Sequence, residues 1–209
     1  MNLDSHDFYC TFRSIGTTGI IIFERDNVLL KSRSCSADLT LGDINEKLIR
    51  YLRELRERNI RFGFISRDCP EDISLRGILD TLLRVREASP DFWITAVGSP
   101  QDSREKNPDA DEMWRRIRVA AITYAMERYR INRSKAVFVS GTSSAFTVAK
   151  TAAIAAFQYS GLGNSRDSSA ELAMAIHLPG LLPVTGDVRE LHAKIEQILG
   201  LSCSKSRDW

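Results

Sequence analysis

Glu24 and Asp26 stand two residues apart at the end of an apolar run, Gly19-Ile20-Ile21-Ile22-Phe23, just ahead of Val28-Leu29. In a strand, alternation points both carboxylates the same way. Like-charged groups where a buried strand surfaces need a metal ion, a cationic side chain or a proton to offset their repulsion. The pair is therefore a candidate site. An isolated acid-x-acid after an apolar run is also what two solvated loop residues look like, so the rest of the chain has to decide between the two readings.

The elements that would position such a pair follow from periodicity. Ile44, Leu48, Leu52 and Leu55 recur at helical spacing behind a capping-box-like Asp43 and Glu46, and Asn59 ends that helix. Arg61-Phe62-Gly63-Phe64-Ile65-Ser66 reads as a second strand. Leu75, Ile78, Leu79, Leu82 and Leu83 suggest another amphipathic helix, and Phe92 to Val97 a third strand. A polar loop from Gly98 to Pro108 precedes a long helix carrying Met113, Ile117, Ala120, Ala121 and Tyr124. Ala136 to Ser140 is the fourth strand, Phe146 to Ala156 an Ala-rich helix, and short strands are expected near Ala155 to Tyr159 and Leu181 to Val184. The alternation predicts an α/β fold, a Rossmann-like parallel sheet with helices on both faces and functional loops at the C-terminal strand ends. Glu24 and Asp26 lie at one such end, Ser66 and Arg67 at the next, and Ser140-Gly141-Thr142-Ser143-Ser144 at the fourth.

Composition narrows the partners. The 209 residues carry 29 Lys+Arg against 27 Asp+Glu, a net charge of +2, which gives no general electrostatic case for nucleic acid or an anionic membrane. No apolar run approaches the ~20 residues needed to span a bilayer, and the N-terminal residues lack a signal-peptide layout, so a cytoplasmic protein is expected. Cys10, Cys35, Cys69 and Cys203 are scattered, as are His6, His177 and His192, without the spacing of a zinc site or a disulfide frame. The run Arg115-Arg116-Ile117-Arg118 reads as an exposed helix face.

Taken together, the pattern from Ile20 to Leu199 resembles the haloacid dehalogenase (HAD) superfamily, and within it the small capless phosphatases acting on histidinol phosphate and heptose bisphosphate. Glu24-Arg25-Asp26-Asn27-Val28-Leu29 stands where that family has Asp-x-Asp-x-Val-Leu. Ser66 matches its Ser or Thr after the second strand, and Lys106-Asn107-Pro108 with Met113 resembles its Lys-Pro segment. Ser140-Gly141-Thr142-Ser143-Ser144-Ala145 aligns with its Gly-Asp-x-x-x-Asp. The resemblance implies residues 1–17 as an N-terminal extension, 18–201 as one HAD-like domain and 202–209 as a tail. It implies no large cap; a small one would have to come from 31–41.

The departures set the functional expectation. Glu24 stands at the nucleophile position with a carboxylate one methylene too long for an attack that tolerates little misplacement. Asp26 keeps the acid/base position. Gly141 and Ala145 replace the two acids of the last motif, which should weaken a Mg²⁺ site. The expectation is a HAD-like protein with little or no phosphatase activity, a module for a small phosphorylated or anionic ligand or for a protein partner. Arg25, Arg67 and Lys106 would then converge with Ser66, Thr142 and the amides of Gly141 to Ser144 around an anion. No cofactor is expected. The alternative is an active phosphomonoesterase using Glu24 and Asp26, with Mg²⁺ and with another acid, such as Asp43, Asp68 or Asp102, beside Asp26.

Overall fold

The computed structural model describes residues 19–30, 43–68, 73–97, 108–159 and 188–201. The expected N-terminal extension, the loop 31–41, Lys106, Asp102, the strand near 181–184, the tail and all four cysteines lie outside them.

The apolar runs become five strands, β1 (Ile20–Glu24), β2 (Arg61–Asp68), β3 (Phe92–Val97), β4 (Ala136–Ser140) and β5 (Ala155–Gln158). They form one sheet in the order β3-β2-β1-β4-β5 with every pairing parallel. The helices are α1 (Glu46–Glu57), α2 (Ile73–Val85), α3 (Pro108–Tyr129), α4 (Ser144–Ala152) and α5 (Val188–Leu199). The expected Rossmann-like architecture is what the chain adopts. Strand order reverses between β1 and β4, the switch point at which such sheets open a crevice at their C-terminal edge. No described helix is long and apolar enough to cross a membrane.

Alternation along the strands sorts their side chains onto two faces. Ile21 and Phe23 join Phe62, Phe64, Val137 and Val139 in one buried cluster with α1, α2 and α5. Ile20 and Ile22 join Ile65, Ala136 and Phe138 in another with α3 and α4. In phase with these, Glu24 and Ser140 face α3, whereas Ser66 follows Phe64 to the opposite face and places its hydroxyl 3.3 Å from Thr95 Oγ1.

Three local expectations need correction. The N-cap of α1 is Asn45, not Asp43: its side chain accepts from the Leu48 amide at 3.1 Å, and its amide donates to the Val28 carbonyl and the Tyr159 hydroxyl. Asn45 wins because one buried side chain satisfies the helix end and ties it to the loop after β1. The Ala-rich helix runs Ser144–Ala152 and stops where Ala153 turns left-handed, which frees Ala155 onward for β5. On α3 the buried stripe is Arg118, Ala121, Ile122, Ala125 and Met126, while Met113 and Tyr124 are exposed.

The five α-helices among the described residues close the same way. Past the last turn, an amide bonds the carbonyl five residues back, as in Ile60 to Leu55, Ala88 to Leu83, Ile131 to Met126, Ile154 to Ala149 and Leu201 to Glu196. The residue before it has positive φ: Asn59, Glu87, Arg130, Ala153 and Gly200. Only the last is glycine. Ala153 sits at φ 55, so Ala153→Gly is expected to raise the unfolding free energy by about 0.5–1 kcal/mol, read from urea unfolding.

Candidate ligand-binding cleft

The crevice above the switch point is a cleft of about 570 Å³, lined by Glu24 at the end of β1, Asp26 and Asn27 after it, Arg67 at the end of β2, and Thr142, Ser144 and Thr147 after β4. Asp111, Glu112, Trp114, Arg115 and Arg118 of α3 complete the wall.

The loop after β1 is fixed by its own hydrophobic residues. Val28, Leu29 and Leu30 are fully buried, and the Leu29 and Leu30 amides both bond the Arg25 carbonyl. This closes a tight turn through Asn27 at φ 61, a conformation asparagine tolerates better than most residues. Asn27 is thereby pressed against Gly141. A Cβ at residue 141 would lie 2.4 Å from Asn27 Cβ and 2.7 Å from its carbonyl oxygen.

The repulsion between the two acids is offset by two guanidinium groups. Arg25 donates from Nε to Asp26 Oδ1 at 2.8 Å, and Arg118 lies 3.4 Å from Glu24 Oε1. Glu24 Oε2 accepts from the Ser140 hydroxyl, so both of its oxygens are engaged. Arg118 also donates to Ser144 Oγ at 3.1 Å and sits over the Trp114 ring, 5.5 Å from its centroid. Ser140 in turn accepts from the Thr142 amide at 3.1 Å, and Thr142 and Ser144 share a hydroxyl contact of 2.8 Å.

Burial dominates the electrostatics. It pushes the Glu24 carboxyl above the usual carboxylate range; Arg118 and then the Ser140 hydroxyl bond pull it back, and Asp26 pushes it up again. Burial also lowers Arg118, with Glu24 opposing. Each partner is shifted toward its neutral form, so the pair's mutual attraction does not fully offset its desolvation.

A magnesium ion of the kind the resemblance implies does not fit these residues. Among the described residues no group of three His, Cys, Asp or Glu converges to hold a metal. The backbone of Asn27 occupies the approach to Gly141, and Ala145 is fully buried in the apolar cluster beneath α3 and α4. Asp43 does not line the cleft; the additional acids that do are Asp111 and Glu112, the latter bonded to Arg115 and Arg116.

Of the residues singled out in the sequence, Glu24, Asp26, Arg67 and Thr142 meet in the cleft. Ser66 turns to the other face of the sheet, and Arg25, fully buried, lies against Asp26 beneath the loop. Arg118 was read as part of an exposed basic run, and it is instead buried at the centre of the site. Its phase gives it away: Arg118 falls on the stripe continued by Ala121, Ile122, Ala125 and Met126.

This is the fold of HAD-like phosphatases. Over 88% of its length the chain is similar to a protein assigned as a HAD-like phosphatase from Mesorhizobium loti, with 14% identity, 88% of that chain covered and a TM-score of 0.64. It is similar over 88% of its length to D,D-heptose 1,7-bisphosphate phosphatase from B. bronchiseptica complexed with magnesium and phosphate, with 16% identity, 99% of that chain covered and a TM-score of 0.57. No family model and no curated protein matches the chain.

Proposed function

We propose that the cleft receives a small phosphorylated or otherwise anionic ligand and has little or no phosphomonoesterase activity. The observation that carries this reading is the double engagement of Glu24, whose two oxygens are bonded to Arg118 and Ser140. A nucleophilic carboxylate needs one oxygen free to approach phosphorus in line, and it needs the charge on phosphate neutralised. Here the carboxylate at the nucleophile position is committed to a side-chain cation of its own. Arg67 and Arg115 on the wall, with the Thr142 and Ser144 hydroxyls at the start of α4, supply donors of the kind anions bind.

Calorimetric titration with MgCl₂ is expected to show no binding tighter than millimolar, the consequence of a hard-cation site without its charged ligands. A screen of phosphomonoesters with Mg²⁺ is expected to show no turnover above background, while inorganic phosphate perturbs the emission of Trp114. Micromolar Mg²⁺ affinity, with turnover that Glu24→Gln abolishes, would establish a working phosphatase instead.

A further inference from the structure

On the opposite face of the sheet, α1 and α5 enclose a second cleft of about 500 Å³, lined by Lys47, Arg50, Tyr51 and Glu54 from α1 and by Val188, Arg189 and His192 from α5. Residues 47, 50, 51 and 54 share one helix face, so the cations of α1 and that of α5 look into the same space. Among the described residues, Lys47, Arg50 and Arg189 line the cleft together with the carboxylate of Glu54. Neither Lys47 nor Arg50 has an ion-pair partner among the described residues, while the acid, Glu54, lies 3.6 Å from His192 Nδ1 at the other end. The floor is aromatic: the Tyr51 and His192 rings are 5.0 Å apart between centroids. The Tyr51 side chain is 2% exposed, and its hydroxyl has no hydrogen-bond partner. A buried hydroxyl left unbonded costs free energy.

We propose that this cleft is a second ligand site, for a phosphorylated small molecule whose phosphate lies among Lys47, Arg50 and Arg189 and whose ring or apolar part rests on Tyr51 and Val188. The volume suits a ligand of nucleotide size. A phosphate matches the chemistry because clustered Lys and Arg recognise a multiply charged oxyanion. The site is independent of the cleft at Glu24, from which the sheet separates it.

His192 is the reporter. Desolvation and then Arg58 hold its imidazole below the ordinary histidine range, with Glu54 opposing. Arg58 donates to Nε2 at 3.1 Å, a bond that suits the neutral ring. The charged groups facing it are Lys47, Arg50 and Glu54 from α1, Arg58 just after it, and Arg189 and Glu196 from its own helix. An anion seated among the cations adds negative charge nearby and raises the His192 pKa.

The test is an NMR pH titration of the histidine ring protons of the full chain between about pH 5 and 8, with and without millimolar pyrophosphate at matched ionic strength. His192→Gln assigns the resonance. The His192 pKa is expected to rise by about half a unit to one unit with pyrophosphate. Lys47→Gln with Arg50→Gln, both exposed, should abolish that rise, and Arg53→Gln, which pairs with Glu57 outside the cleft, should keep it. No change in the wild type, or a rise that persists in the double variant, would overturn the proposal.

Discussion

Arg118→Met is expected to lower the unfolding free energy by about 3–5 kcal/mol at neutral pH, because it leaves the buried Glu24 carboxylate facing Asp26 without its cation. The methionine keeps an apolar stem in place of the arginine's, so the loss reports charge more than volume. The pH dependence follows from the direction of the Glu24 shift. A carboxyl raised above its ordinary value of 4.5 on folding gives stability that is present below that value and lost as pH rises through the folded value. Removing Arg118 removes the largest influence holding Glu24 down. The folded value therefore rises further, and the penalty of Arg118→Met shrinks as pH falls toward 4.5. Adding Glu24→Gln should recover most of the lost stability at neutral pH, since a neutral amide can still bond Ser140 and no charge is left buried alone. Urea unfolding of the two single variants and the double variant at neutral and acid pH measures all of this. Equal penalties at both pH values would mean that Arg118 acts through packing alone.

The order of elements and the edge at which the site lies were legible because each strand carries a strong apolar run, and an all-parallel sheet leaves its loops at one end. Glu24, Asp26, Arg67 and Thr142 were legible for the same reason: each lies at or just beyond the C-terminal end of a strand. What the sequence concealed was phase. On α3 two apolar stripes compete, and the one marked by Met113, Ala120 and Tyr124 faces solvent. The stripe containing an arginine is buried, with Arg118 donating to the Glu24 carboxylate and the Ser144 hydroxyl. Ser66 was misplaced through the same ambiguity, since strand alternation fixes two faces without saying which one looks toward the helix that carries the cation. Gly141 was read as a lost acid. Its role is steric, and only the distance to Asn27 reveals that.

That steric role decides what repair of the site would do. The alignment with the Gly-Asp-x-x-x-Asp motif suggests that Asp at 141 and 145, with Glu24→Asp, would rebuild a magnesium site and restore hydrolysis. The geometry opposes it. Any side chain at 141 begins 2.4 Å from Asn27 Cβ and 2.7 Å from the Asn27 carbonyl oxygen, and the second of these is backbone held by the buried Val28-Leu29-Leu30 turn. Gly141→Asp is therefore expected to cost about 3 kcal/mol, the upper part of the range for overpacking a site that cannot relax. Gly141→Ala should lose nearly as much, because the clash is at Cβ and not at the carboxylate. Ala145→Asp would place a charge in a fully buried apolar position, so a triple variant would unfold before it bound metal. Urea unfolding of Gly141→Ala provides the measurement. A loss below about 0.5 kcal/mol would show that the Asn27 turn gives way, and the acid-bearing motif could then be rebuilt on this chain.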